Sequence, residues 1–511
     1  VGRRAFIPTP PAWPGAGRMA ASPLRMTHPA PPAPREAAAL ALQVWRLAWP
    51  AIAHMLLLTL VFLVGRGMVG RYSTTALASM QICGTLTWTI VSIFSATSAG
   101  TLAVVARSVG AGDRAGAAAA VRVSLAFALL LGAAVALPVL AACGPLLRAL
   151  FPQAGAAVLD QATAYLGIVL PALPLAFVEA VAAAALQGVG DTKTPLAVAT
   201  LGNLVNVAVS AVLIFGHLGL PALGVRGAAV GVACTMATEA LLLTAALLSR
   251  SGPLPLRAAP SRSTATLASS AAAPSRSAAA PDASAAPDQR APRTANAAAL
   301  ARVLRVAAPA FAERSAYHAG YMGFVAIIGL LGATAMAANQ ALIAIESVCF
   351  LSAEGFGIAA GSLMAQRLGA RRPDDAARVA LLAALMAIVA LSAFGVLFAL
   401  VPRPLLLAFS SDPELLALGA RALPVAAVAQ PFMAFATVMG MGLRGAGDTR
   451  TVLAVTLVSS LLMRLGGTWL FAVTLGHGLV GVWMGSTADW ICRSALLGLA
   501  YARGRWKGLT V

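Results

Sequence analysis

Charge is what this sequence has least of: only 10% of its 511 residues are Asp, Glu, Lys or Arg, against 59% apolar. A soluble globular chain averages about 25% charged and roughly 45–50% apolar residues, so a large water-dissolved core is excluded. Cysteine is scarce as well. Cys83, Cys143, Cys234, Cys349 and Cys492 stand singly and in odd number, with neither metal-ligand nor disulfide spacing. They read as small apolar packing residues. No GxxxxGK[ST] phosphate-binding string occurs, which argues against ATP drive within this chain. Strict apolar–polar alternation is missing too, so helices rather than a barrel are expected to satisfy the backbone in lipid. The first 40 residues, rich in Pro, Ala and Arg, hold no apolar signal-peptide core. Met19 and Met26 are candidate start residues, with the first apolar span serving as the targeting signal.

What is present is apolar sequence, at a mean hydropathy of +0.85. Crossing a hydrocarbon layer of about 30 Å takes roughly 20 apolar helical residues. Twelve segments of that kind are read at 45–70, 76–106, 118–141, 161–187, 194–217 and 224–249, then 302–330, 335–366, 376–401, 416–443, 451–474 and 478–502. Residues 1–41 are expected to form a disordered tail, and the Ala/Ser/Pro-rich stretch 251–297 a disordered linker, since neither could bury a core. The fold class predicted is an all-α polytopic membrane protein. It has two six-helix lobes, 42–250 and 298–507.

The halves repeat each other. Arg46-Leu-Ala-Trp-Pro50-Ala-Ile-Ala matches Arg305-Val-Ala-Ala-Pro309-Ala-Phe-Ala, and Thr75-Ala-Leu-Ala-Ser-Met-Gln81 matches Thr334-Ala-Met-Ala-Ala-Asn-Gln340 at the same separation. Leu186-Gln-Gly-Val-Gly-Asp-Thr-Lys-Thr194 matches Leu443-Arg-Gly-Ala-Gly-Asp-Thr-Arg-Thr451 at nearly that separation. An even number of spans per half gives both halves one orientation, hence a pseudo-twofold along the membrane normal. The formal net charge of +19 does not indicate nucleic acid, because the basic residues sit in short loops and tails between spans. With both termini in the cytoplasm, most of the 36 basic residues lie on that side. Arg66, Arg71, Arg148, Arg226, Arg403 and Arg421 then face outward.

The paired loops QGVGDTKTP and RGAGDTRT, the Gly-Ala-Gly-Asp after the second span and the twelve-span duplication together resemble the multidrug and toxic compound extrusion (MATE) family. LVGRGMVGR in the first span, AANQ and IES in the eighth and DWICR in the twelfth add to the likeness, which runs from about residue 42 to 507 outside the linker. It implies two six-helix lobes around a central cavity, and export of organic, often cationic, compounds in exchange for protons or sodium ions. The expected setting is the cell (cytoplasmic/inner) membrane, the partners a small organic substrate, a coupling ion and the bilayer. No cofactor, metal or obligate protein partner is indicated. A flippase for lipid-linked or polysaccharide cargo is the nearest alternative. An intramembrane aspartyl protease, which the GxGD strings invite, is a remote one: it needs two facing aspartates within the membrane, whereas Asp191 and Asp448 read as loop residues that cap the following helix.

Ionisable residues inside spans are costly and mark function by default. Asp489 leads, as a mid-span carboxylate able to exchange a proton for a cationic substrate, or else to pair with Arg493 one turn on. Glu346 has no basic residue one turn away, and Glu313 follows Pro309 with His54 as its repeat mate. Arg464 and Glu179 are further ion-coupling or substrate-binding candidates, with Gln340 and Asn206 as ligand hydrogen-bonders or glue between helices. Glu354, Glu239 and His318 rank lower. Where the family usually has Asp-Thr, Gly65 and Arg66 stand, and Ser210 replaces the acidic residue often found four positions after Asn206. Without that N-lobe carboxylate pair, coupling is expected to run through Asp489, Glu346 and Glu313.

Overall fold

The computed structural model describes residues 34–152, 154–249, 254 and 290–510. The first lobe holds α1 (Pro34–Tyr72), α2 (Thr74–Phe94) continued after a break at Ser95 by α3 (Ala96–Gly110), and α4 (Arg114–Ala141). A short α5 (Cys143–Leu150) leads to α6 (Ala156–Val189), α7 (Lys193–Phe215) and α8 (Val225–Leu248). The second lobe holds α9 (Arg290–Gly329), α10 (Ala333–Gly369), α11 (Pro373–Leu400), the short α12 (Pro402–Leu407) and α13 (Pro413–Gly445). Its eleventh crossing starts as α14 (Thr449–Val458) and continues in π-helical turns, Ser459–Gly467 and Trp469–Thr474; α15 (Gly478–Ala502) is the twelfth. Ten helical segments among the described residues are long and apolar enough to cross a membrane. The other two crossings, α9 and α15, carry Glu313, Arg314, His318, Asp489 and Arg493.

Two boundaries move from the sequence reading. Helix α1 begins at Pro34 and α9 at Arg290, so the ends of the expected tail and linker are helical. Both stretches run into Ala- and Leu-rich sequence, which has the highest helix propensity. The rest of residues 1–41 and 251–297, with Met19 and Met26, lies outside the described residues, apart from Leu254.

Helix faces turned away from the lobe cores are apolar and open: Leu130 on α4 is 68% exposed and Leu400 on α11 75%. Such wide apolar surface belongs against lipid tails rather than water. Inside, small residues let helices approach. A side chain at Gly132 would strike Pro174 of α6, and one at Gly481 would strike the Phe471 carbonyl. The lobes also exchange their leading helices. Leu40, Val44 and Ala48 of α1 pack into the core of the second lobe, while Val303 of α9 packs with Val104, Val121 and Leu186 of the first.

The lobes meet at the end where the GxGD turns lie. Gly110 of α3 backs onto the Gln366 carbonyl of α10, and its repeat mate Gly369 backs onto the Arg107 carbonyl. Gln366 Nε2 donates to the Gly188 carbonyl at 2.8 Å, and Ser362 Oγ to the Gln187 carbonyl at 2.6 Å. In the mirrored contact Arg107 donates to the Ala446 carbonyl at 3.4 Å and to Leu509 at 2.6 Å. The C-terminal segment is pinned there by a fully buried Trp506 and by Lys507, which reaches Asp374 at 2.8 Å. Among the described residues, the inter-lobe side-chain hydrogen bond farthest from this closed end is His318 Nε2 with Ser92 Oγ, 2.8 Å.

Candidate functional site

The GxGD loops are turns. Gly190 and Gly447 take φ near +93°, a left-handed conformation that glycine adopts without a Cβ clash. The following amides of Asp191 and Asp448 bond back to the Leu186 and Leu443 carbonyls, completing the same helix-ending motif twice. Asp191 Oδ1 then accepts from the Lys193 and Thr194 amides at 3.1 and 3.0 Å, and Oδ2 from Thr194 Oγ1 at 2.6 Å. Asp448 accepts from the Thr451 amide at 3.4 Å. Both carboxylates are spent on the first turns of α7 and α14, which leaves no facing pair for aspartyl proteolysis.

The interior carboxylates of the second lobe divide into paired and unpaired. Asp489 is fully buried on α15. Its Oδ2 accepts from Arg464 Nε at 2.8 Å, and Arg493 donates to both oxygens at 3.1 Å. Arg493 also reaches Ser460 Oγ at 3.0 Å. Wide π turns, which often mark functional sites, bring Ser459, Ser460 and Arg464 together into the buried face. Trp490 lies under both guanidiniums, 5.7 Å from Arg464 and 5.0 Å from Arg493, and so screens the cluster with an aromatic face. Two guanidiniums against one carboxylate leave Asp489 with both oxygens engaged. The pairing with Arg493 that the sequence allowed is present, and Arg464 joins it from the eleventh crossing.

Glu313 is likewise engaged. Arg444, from the end of α13, grips both its oxygens, Nε at 3.0 Å and Nη2 closer, and Thr456 Oγ1 adds a 3.0 Å bond. Glu354 pairs with Arg314 at 3.5 Å. Glu346 differs: its Oε1 is buried with no hydrogen-bond partner, and no ion pair joins it among the described residues. Arg464, held by Asp489, is the nearby cation whose field reaches it. An ionised carboxylate kept this way is costly, and gaining a proton or a cationic group removes the cost.

In the first lobe Glu179 and Glu239 also lack ion-pair partners among the described residues. Asn206 Oδ1 accepts from Ser210 Oγ at 3.1 Å, a polar pair within α7. Gln340 is exposed near the start of α10. Its mate Gln81 lines a 510 Å³ cleft with Arg66, Leu77 and Ala78. Arg444 is the partner of Glu313 that sequence reading misses, because it stands inside a motif that reads as a turn. A signal existed: Glu313 and Arg444 are both charged where their mates His54 and Gln187 are both neutral.

A twelve-crossing helical duplication in two lobes closed at one end, with ionisable side chains held inside, defines a two-lobed membrane protein of the transporter class. The family model described as MatE matches twice, over residues 50–212 and 309–470. The chain belongs to the MATE family. It is 26% identical over 471 residues to a probable multidrug resistance protein NorM of Thermotoga maritima, covering 90% of this chain and 92% of that one. Over 336 residues it is 27% identical to the multidrug resistance protein MdtK of Edwardsiella ictaluri, covering 64% and 66% of the two chains. Its fold matches a Pyrococcus furiosus transporter of the MOP superfamily, described as having a binding pocket of reversed polarity, with a TM-score of 0.78 at 20% identity. An outward-facing MATE family multidrug resistance transporter matches with a TM-score of 0.77 at 21% identity. Both likenesses cover 91% of this chain and 96% of the other. The relatives are transporters, not enzymes.

Proposed function

We propose that this chain is a secondary antiporter. It exports organic, often cationic, compounds across the cell membrane in exchange for protons, by alternating access between its lobes. Both termini lie in the cytoplasm, which puts the closed GxGD end on the cytoplasmic side and makes the conformation described here outward-facing. The carrying observation is Glu346, a half-buried glutamate with one buried, unpartnered oxygen, in a lobe whose other interior carboxylates are held by arginines. In this reading Glu346 alternates between a proton and a cationic substrate. Asp489 and Glu313 keep Arg464 and Arg444 in place and do not exchange protons themselves. The relatives named as multidrug resistance proteins support the cargo class.

Efflux of a fluorescent organic cation from proteoliposomes, under a proton gradient and then a sodium gradient, tests the reading. Proton-driven efflux that falls at least about tenfold in Glu346→Gln is expected. Efflux driven only by sodium would replace the coupling ion. Movement under neither gradient would overturn the drug-antiporter reading and redirect the search to lipid-linked cargo.

A further inference from the structure

The first lobe has Gly65 and Ser210 rather than carboxylates at those positions, yet it carries two others inside its spans, Glu239 buried and Glu179 half-buried. Glu179 lies on α6 and Glu239 on α8, two helices packed along their length. Their depth follows from the topology. Glu179 precedes the end of α6 at Val189, and Glu239 precedes the end of α8 at Leu248, each by nine or ten residues. Gly202 follows the start of α7 by nine, and Ser124 follows the start of α4 by ten. At about 1.5 Å per residue all four sit ~14 Å from the closed end, near the middle of a hydrocarbon layer of about 30 Å.

At that level polar atoms are left unmatched. Glu239 is 7% exposed, and its Oε1 has no hydrogen-bond partner. Ser124 is 2% exposed, and its Oγ has none either. The Glu239 side chain presses onto Gly202: a Cβ there would lie 2.6 Å from both its Cγ and Oε1. A side chain at Gly202 would therefore displace the carboxylate. Thr235, one turn before Glu239, spends its hydroxyl on the Gly202 and Gly231 carbonyls at 3.2 and 3.0 Å. The two carboxylates are close enough for each charge to act on the other.

The other charged groups on the helices packed against α6 and α8 are Arg107 on α3, Arg114 and Arg122 on α4, Arg148 on α5, Asp160 on α6, Lys193 on α7 and Arg226 on α8, with Glu346, Glu354 and Arg367 on α10 and Arg35, Glu36, Arg46, Arg66 and Arg71 on α1. None of the basic ones lies within 4 Å of either glutamate among the described residues. Two carboxylates sharing one buried site cannot both stay ionised without a counter-charge. A proton held between the two carboxyl groups removes one of the charges and supplies the missing donor.

We infer that Glu179 and Glu239 form a proton-binding site in the first lobe, one proton shared between the two carboxyl groups. Its use in coupling rests on the antiporter reading above; its binding of a proton does not.

The test is labelling of the full-length protein in proteoliposomes with dicyclohexylcarbodiimide, which attacks protonated carboxyls in apolar surroundings, followed by mass spectrometry to locate the adduct. An adduct at Glu179 or Glu239 is expected, rising at least about tenfold from alkaline to acidic pH and indifferent to sodium. Glu239→Gln should remove the adduct from both positions, whereas Glu239→Asp should retain pH-dependent labelling at the pair. In transport, Glu239→Gln and Glu179→Gln should each slow proton-driven efflux at least about tenfold. Absent or pH-independent labelling, or protection by sodium, overturns the site even if wild-type efflux is normal. Labelling as expected with no wild-type efflux under either gradient counts against the antiporter reading alone.

Discussion

The two lobes share a backbone and differ in charge. Gly481 and Gly485 of α15 touch Phe471 and Thr468 on the eleventh crossing, as Gly227 and Gly231 of α8 touch Leu213 and Ser210 on α7. That alignment pairs Arg464 with Asn206, Asp489 with Thr235 and Arg493 with Glu239. In the second lobe the three positions form a closed network of two arginines and an aspartate. In the first they hold an amide, a hydroxyl and an unpaired carboxylate. The duplication kept the glycines that set helix crossings, because any side chain there meets backbone. It exchanged the side chains that only fill space between helices. One lobe thus became electrostatically locked, and the other was left with a carboxylate that must find a cation.

The largest test of this contrast is Asp489→Asn, which strands Arg464 and Arg493 without their counter-ion. Removing one partner of a buried pair costs about 3–5 kcal/mol, and thermal unfolding in detergent should show a clear drop. Thr235→Ala, at the matching position, should change the midpoint far less. Comparable losses in both would show that the first lobe depends on its polar cluster as much as the second.

The closed end offers a symmetric break. Gly110→Val and Gly369→Val each put a side chain into the opposite helix's backbone. Overpacking of this kind costs about 1–3 kcal/mol, and every 1.4 kcal/mol is a tenfold shift in populations. Distances between spin labels on α3 and α10 should lengthen in both variants. Lengthening in only one would mean the two helices do not share the closing contact equally.

The charge difference can also be transplanted. His54→Glu with Gln187→Arg installs the Glu313–Arg444 pair at the mates' positions. A double-mutant cycle should give a favourable coupling of about 1 kcal/mol or more, each single variant being less stable than the double. Zero coupling would show that the pseudo-twofold fails at this contact.

The smallest expected effect concerns the loops after α3 and α10. Gly112 has φ +75°, and its mate Arg371 holds φ +58° despite its side chain. A left-handed conformation costs an L-residue roughly 1–2 kcal/mol, so Arg371→Gly should stabilise the protein by about 1 kcal/mol. An unchanged or lowered melting temperature would show that Arg371 contributes contacts worth more than its strain.

Much of the fold was legible in residue order. Twelve apolar runs can satisfy their backbones in lipid only as helices, and matched strings such as Leu186–Thr194 and Leu443–Thr451 tie the halves together. The turn role of Asp191 and Asp448 was legible because helix capping is local. Asp489 was legible as a buried charge, but its occupation by Arg464 was not, since that contact spans two crossings. Glu239 carries no distinguishing signal in the sequence; only packing shows it lying on Gly202 with an oxygen unmatched.

The sequence by itself determined the lipid-spanning class, the duplication and the family, because hydropathy, repeats and turn motifs are written in neighbouring residues. The tertiary structure decided which carboxylates are free. Whether an arginine reaches an aspartate depends on how helices far apart in sequence cross. Among the described residues Glu346, Glu179 and Glu239 have no arginine or lysine partner, and Asp489 and Glu313 are engaged, because of where those helices lie.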